Sequence, residues 1–297
     1  LSATALATQP TDSPVEVRGV AFSSGYLAVA VGDGVGGGFG LLSRSGGVFT
    51  SVTVPDNVDC SYGNCAISAD GVYTAAASSV SGGRIWHNGA GTLTRLSSVG
   101  TIDSNSRATA VSSDGKYVAF LSSTAASRLR IKERSGSGST ATYADMTLAS
   151  QPASGATAGT SVCGLSFSPN DVYLAVAPTS AANMTVYKLN SGTGIYEKLA
   201  SPWSGTMPTN DLNGCAFDPL GNMLALSTDT QTFLYSRSSD TFTHEATLTG
   251  GDRGGFHPIG NYYITGSGTI YRKNSASSWT SIKTITAGTC AAFSPAI

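Results

Sequence analysis

Apolar residues come in short runs along this chain, separated by Gly, Pro, Asn, Asp and Ser, and many runs alternate with polar residues at a period of two. Such alternation places successive side chains on opposite faces of a strand, and no stretch sustains a helical period. The pattern predicts β-strands throughout. One arrangement recurs over residues 20–29, 66–75, 110–119, 167–176, 217–226 and 256–264. An apolar run ends in Ser-Pro, Ser-Ser or an equivalent pair, a turn follows, and a second run of small apolar residues begins, usually behind a tyrosine. Asp70-Gly71 and Asp114-Gly115 mark the turn, where glycine supplies the positive φ a tight hairpin needs.

A third strand follows each copy, over 40–42, 84–86, 129–131, 185–187, 233–235 and 269–271. A more polar fourth strand comes after it, as at 49–54, 242–248 and 279–285, which suits an outer edge that must stay in water. Each unit is then a four-stranded antiparallel meander. One such sheet cannot bury both faces alone, whereas radial stacking buries them and leaves only short edges. The predicted fold is an all-β propeller: a single domain over 1–297, with blades starting near residues 18, 63, 107, 162, 213 and 253. Phe22, Ile67, Val111, Phe167, Phe217 and Phe256 are expected between blades.

The termini extend the pattern to six complete blades plus a partial seventh, over 1–10 and 288–297. Residues 290–295 repeat the innermost-strand motif. Ala5-Leu6-Ala7-Thr8-Gln9-Pro10 reads as an outermost strand, by comparison with Thr147-Leu148-Ala149-Ser150-Gln151-Pro152. An outer and an inner strand cannot pair across two missing middle strands, because neighbouring strands lie about 4.8 Å apart. The expectation is a seven-fold arrangement whose last blade is filled by residues beyond these ends or by a partner's strands.

The repeat resembles that of the WD40-like propellers of bacteria and phages, with their Phe-Ser-Pro-Asp-Gly-x-Tyr-Leu-Ala-Val pattern. The likeness covers nearly the whole chain and implies the fold rather than an activity, since this scaffold hosts many. It departs from the stricter WD40 form: Trp86 is followed by His87 rather than Asp, and no Gly-His pair precedes the inner strand.

Composition narrows the function classes. Charged residues are 12% of the chain and the net charge is −1, so bulk electrostatics attract neither nucleic acid nor an anionic membrane. No apolar run approaches the roughly 18 residues that span a bilayer. Nucleic-acid binding and membrane insertion are not expected.

Candidate chemistry is sparse. Positions just before each inner strand, where propellers open their channel, hold Arg18, Gly63, Arg107, Cys163, Asn213, Asp252 and Thr289, with Arg253 adjacent. Propeller lactonases, which resemble this fold, hold a divalent cation there with carboxylates and amides. Two arginines and one aspartate make a poor cation ring and suit an anion or a partner's carboxylate. No metal or other cofactor is expected, and the three histidines suggest no hydrolytic triad. Trp203 and Tyr62 are candidate exposed aromatics for a partner or glycan. Cys60 and Cys65 flank a four-residue turn and could bridge outside a reducing cytosol. These readings lead to a non-enzymatic module for protein interaction in an assembly, extracellular or on a virion such as a phage tail or head. A carbohydrate-binding adhesin and a propeller lactonase or hydrolase are the alternatives.

Overall fold

A computed structural model describes residues 16–32, 37–46, 48–55, 60, 64–78, 80, 82–89, 91–97, 102, 105–122, 129–152, 164–178, 184–275, 277–285 and 290–293. Six antiparallel sheets stand around one axis, each running from an inner to an outer strand. Blade one is β1 (Glu16–Phe22), β2 (Tyr26–Gly32), β3 (Gly37–Ser45) and β4 (Val48–Val52). Blade two is β5 (Cys65–Ile67), β6 (Tyr73–Ala76), β7 (Arg84–Gly89) and β8 (Thr92–Arg95). Blade three is β9 (Ser106–Val111), β10 (Tyr117–Ser122), β11 (Leu129–Ser135) and β12 (Thr142–Asp145). Blade four is β13 (Gly164–Phe167), β14 (Tyr173–Ala177), β15 (Thr185–Asn190) and β16 (Ile195–Lys198). Blade five opens with an unforeseen short strand, β17 (Trp203–Ser204), which pairs in parallel with the outer strand; its other strands are β18 (Gly214–Phe217), β19 (Met223–Ser227), β20 (Gln231–Ser238) and β21 (Thr241–Thr249). Blade six is β22 (Gly255–Phe256), β23 (Tyr262–Ile264), β24 (Thr269–Ser275) and β25 (Ser278–Thr284). The six complete blades predicted are all present and form a six-bladed ring; among the described residues there is no seventh sheet and no α-helix.

The turn motif is built as its residues dictate. Ser68 Oγ accepts from Tyr73 N at 2.9 Å, and Ser112 Oγ from Tyr117 N at 2.8 Å. Asp218 takes the serine's place in blade five, accepting from Met223 N at 2.7 Å. Gly71 and Gly115 adopt φ of 76° and 69°. A second reason for glycine appears across the blade boundary: a Cβ on Gly115 would stand 2.4 Å from the ring of Tyr73, and one on Gly71 2.7 Å from Tyr26. The tyrosine of one blade lies over the turn of the next, so the two residue types recur together. In blade four Asp171 holds the left-handed position at φ 59°, and its carboxylate accepts from Ser113 N and Oγ of blade three at 2.9 and 2.7 Å.

Apolar cores lie between successive blades. Ile67 packs in the core between blades one and two, Phe167 between three and four, Phe217 between four and five, and Phe256 between five and six. Val111 lies half-buried against the core of blades two and three. Each of these anchors therefore faces the preceding blade. Second strands feed both sides, as when Leu174 and Val176 join one core while Tyr173, Ala175 and Ala177 join the next. Phe22 is half-buried and belongs to none of the five cores.

The expected outer strand over 1–10 lies outside the described residues. Residues 290–293 lie between blades six and one. Cys290 forms a parallel bridge with Arg253, Ala291 N donates to Arg253 O at 2.9 Å, and Cys290 Sγ donates to Val17 O at 3.4 Å.

Candidate active site at the channel mouth

The inner strands of all six blades and residues 290–292 enclose a cavity of about 370 Å³ along the axis. Because blades are antiparallel meanders, the turn joining a second to a third strand returns to the face where the inner strand begins. That brings Asp229, in the β19–β20 turn, beside Asn213 and Asp252. The backbones are tied in place: Asn213 N donates to Ser227 O and Asp252 N to Thr228 O, each at 2.7 Å. Asn213 Nδ2 donates to the carboxylates of both Asp229 and Asp252, the latter at 3.2 Å. One amide thus holds two acids.

Asp252 sits at φ 61°, a left-handed conformation that aspartate adopts more readily than most residues. Its neighbour Gly251 is obligatory, since a Cβ there would lie 1.9 Å from Thr228 O. Arg253 follows and lines the cavity. Burial pushes the Asp252 carboxyl above its ordinary range, and the like charge of Asp229 adds to this, against the Asn213 hydrogen bond and the Arg253 charge. Asn213, Asp229 and Asp252 are not among the residues that line the cavity, which the cluster meets through Arg253; a carboxylate with raised proton affinity beside a second acid and an arginine is equipped for proton transfer.

The thiols nearby are not suited to attack. Burial pushes Cys290 up to about 11 and raises Cys65 as well, although Arg253 opposes both shifts. They remain protonated at neutral pH and so lack nucleophilic thiolate. The Cys60–Cys65 bridge is not formed in this structure: both residues are buried thiols, and Cys65 Sγ donates to Gly19 O at 3.5 Å. The histidines sit in aromatic contacts on the blades. His87 meets Tyr73, His244 meets Phe233 and Tyr235, and His257 meets Tyr262 and Phe293. Among the described residues no group of three or more His, Cys, Asp or Glu side chains could hold a metal ion.

The predicted site residues are gathered only in part. Asn213, Asp252 and Arg253 join one cluster. Arg18 and Arg107 stand half-buried at equivalent positions on β1 and β9 and do not line the cavity. Tyr62, Gly63, Cys163 and Thr289 lie outside the described residues. Trp203 is half-buried, with its ring 5.3 Å from that of Tyr235 and 5.5 Å from that of Phe242. Asp229 is the member that reading only the positions before each inner strand misses. The stretch Gly250-Gly251-Asp252-Arg253-Gly254-Gly255, a charged pair set between glycine pairs, marks Asp252 and Arg253 but carries no signal for Asp229.

No protein-family profile matches the chain, and no curated protein matches it by sequence. Solved structures do match its fold. A Bacteroides uniformis protein assigned as a 6-phosphogluconolactonase is 15% identical, with a TM-score of 0.63, over 92% of this chain and 83% of that one. The periplasmic gluconolactonase of Pseudomonas aeruginosa is 14% identical, with a TM-score of 0.62, over 92% and 86%. The Cps50 (Swd1) propeller domain of Myceliophteria thermophila is 11% identical, with a TM-score of 0.59, over 91% and 87%. The last bears out the WD40-like resemblance at the level of fold. The two lactonase propellers correct the expectations of a non-enzymatic protein and of a virion or assembly module, since the fold is one that these enzymes share. Over nine-tenths of its length the chain is similar in fold to propellers that include sugar lactonases.

Proposed function

We propose that this protein is a lactonase-like hydrolase acting at the Asp229–Asn213–Asp252–Arg253 end of the channel. The observation that carries the reading is the pair of carboxylates held on one amide, with Arg253 at the cavity wall. Asp252 is the general base. It takes a proton from a water whose oxygen bonds to the lactone carbonyl carbon. The guanidinium of Arg253 balances the charge that develops on the carbonyl oxygen. As the ring C–O bond breaks, the proton returns to the departing alkoxide, leaving an open-chain hydroxy acid. Asn213 keeps the base oriented by its hydrogen bond, and the charge of Asp229 keeps its proton affinity high. The fold likeness to two lactonase propellers supports the same reading. A setting outside the cytosol fits the low charge, and one of those neighbours is periplasmic.

The test is proton release on addition of gluconolactone or 6-phosphogluconolactone, followed in a pH-stat against the spontaneous rate. Hydrolysis by the native protein and its loss, on the order of 10²–10⁴-fold, in Asp252→Asn are expected. Equal rates for the two proteins would end the proposal.

A further inference from the structure

The second-strand residue paired with the inner-strand anchor is Leu27, Thr74, Val118, Leu174 and Leu224 in blades one to five, but Tyr263 in blade six. Opposite Gly19 and Gly164 the second strand holds Ala30 and Ala177, whereas opposite Gly214 of blade five it holds Ser227. Both departures meet at the boundary between blades five and six. Ser227 Oγ lies 3.2 Å from the Tyr263 hydroxyl and 3.2 Å from Thr232 Oγ1, and Thr232 Oγ1 donates to Gly250 O at 3.1 Å. A hydroxyl has one proton to give. Thr232 gives its proton to Gly250, so it accepts from Ser227, and Ser227 in turn accepts from Tyr263. The chain therefore runs one way, from blade six through both middle strands of blade five to the segment joining the two blades. All three side chains are buried. Burial pushes the Tyr263 hydroxyl up to about 12, so it stays a donor at neutral pH.

We infer that Tyr263 is a positioning residue for the acid pair: through Ser227 and Thr232 it holds the turn that carries Asp229 and the connection that carries Asp252. The inference rests on the hydrolase reading of that pair. Ser227 and Thr232 bracket the β19–β20 turn, and Gly250 stands two residues before Asp252. The backbone is tied across the same gap, with Gly250 N donating to Thr230 O at 2.8 Å, Asp252 N to Thr228 O and Asn213 N to Ser227 O. Gly254, which lines the cavity, fits the tyrosine: a Cβ there would stand 2.5 Å from the Tyr263 hydroxyl. The hydroxyl thus lies directly beneath the wall, two residues past Asp252. Buried hydroxyls among apolar side chains cost free energy unless each is bonded, and leucine and alanine pack the equivalent positions between blades three and four and between blades four and five. What the hydroxyl chain adds is a directional tie that fixes the two acid-bearing segments against each other.

Tyr263→Phe, Ser227→Ala and the double variant test the inference. Tyr196→Phe is the control, since it too removes a hydrogen bond from a buried tyrosine, to Asp171 O in blade four. The Asp252 carboxyl resonance, assigned with Asp252→Asn and followed by NMR across pH, should titrate lower in the three variants, as the acid parts from Asp229 and gains water. In the control it should titrate as in the native protein. The kcat of lactone hydrolysis should fall on the order of 10–100-fold with KM little changed. The double variant should lose no more than the larger single loss, because both changes break one chain. If Ser227→Ala alone does not fold, the double variant, which leaves neither hydroxyl stranded, carries the comparison. The titration needs no turnover, so it decides the inference separately from the hydrolase reading, which the pH-stat assay decides. An Asp252 titration unmoved by Tyr263→Phe, or moved equally by Tyr196→Phe, would overturn the inference. So would additive losses in the double variant.

Discussion

Replacing Gly115 by alanine tests how neighbouring blades are held together. The glycine sits at φ 69°, and a Cβ would stand 2.4, 2.8 and 2.9 Å from ring and Cβ atoms of Tyr73. Tyr73 cannot swing away without loss. Its hydroxyl accepts from Arg134 at 2.9 Å and from Gly138 N at 3.1 Å, and the Arg134 guanidinium lies 4.4 Å over its ring. A left-handed alanine costs roughly 1–2 kcal/mol, and forcing a methyl into a packed boundary about 1–3 kcal/mol. Gly115→Ala should therefore lose about 2–5 kcal/mol, a large part of the roughly 5–15 kcal/mol that domains possess. Gly46→Ala is the control. That glycine has φ 55° and nothing within 4 Å of the added Cβ, so only the backbone term, about 1–2 kcal/mol, applies. Urea unfolding followed by tryptophan fluorescence gives both values from midpoint shifts at constant slope. Equal losses would refute the claim that the tyrosine locks the next blade's turn.

Two further outcomes follow from buried polar groups. Tyr196→Phe removes the 2.6 Å hydrogen bond from the tyrosine hydroxyl to Asp171 O and should lower stability by about 1 kcal/mol in the same unfolding assay. Lys132 is fully buried and pairs with Asp145 at 2.9 Å. Asp145 is half exposed and also pairs with Arg130, so Asp145→Ala, which leaves the buried ammonium without this acceptor, should cost about 1–3 kcal/mol, and Lys132→Met less, by the same midpoint measurement.

The blades were legible because local chemistry and packing agree in them. The Asp-Gly turn and the tyrosine that follows it satisfy the hairpin and the neighbouring blade at once, as at Gly71 and Gly115. What was not legible depends on residues distant in sequence. Asp229 reaches the site because β19 runs antiparallel to β18, so the β19–β20 turn meets Asn213 and Asp252. Cys65 finds the Gly19 carbonyl on another blade, which a five-residue spacing to Cys60 does not reveal. Trp203 adds a strand to blade five because its ring rests against Tyr235 and Phe242 from the same sheet.

The most direct test of the account is the pH dependence of lactone hydrolysis in the native protein and in Asp229→Asn. Asp252 works as a base only when ionised, and its proton affinity is raised by burial and by Asp229. Activity should fall as the pH drops through that raised value. Neutralising Asp229 removes one of the raising influences while leaving an oxygen to accept from Asn213, so the acid limb of kcat/KM should move to lower pH. An acid limb unmoved by Asp229→Asn, or a native protein that hydrolyses lactones no faster than buffer, would contradict the account.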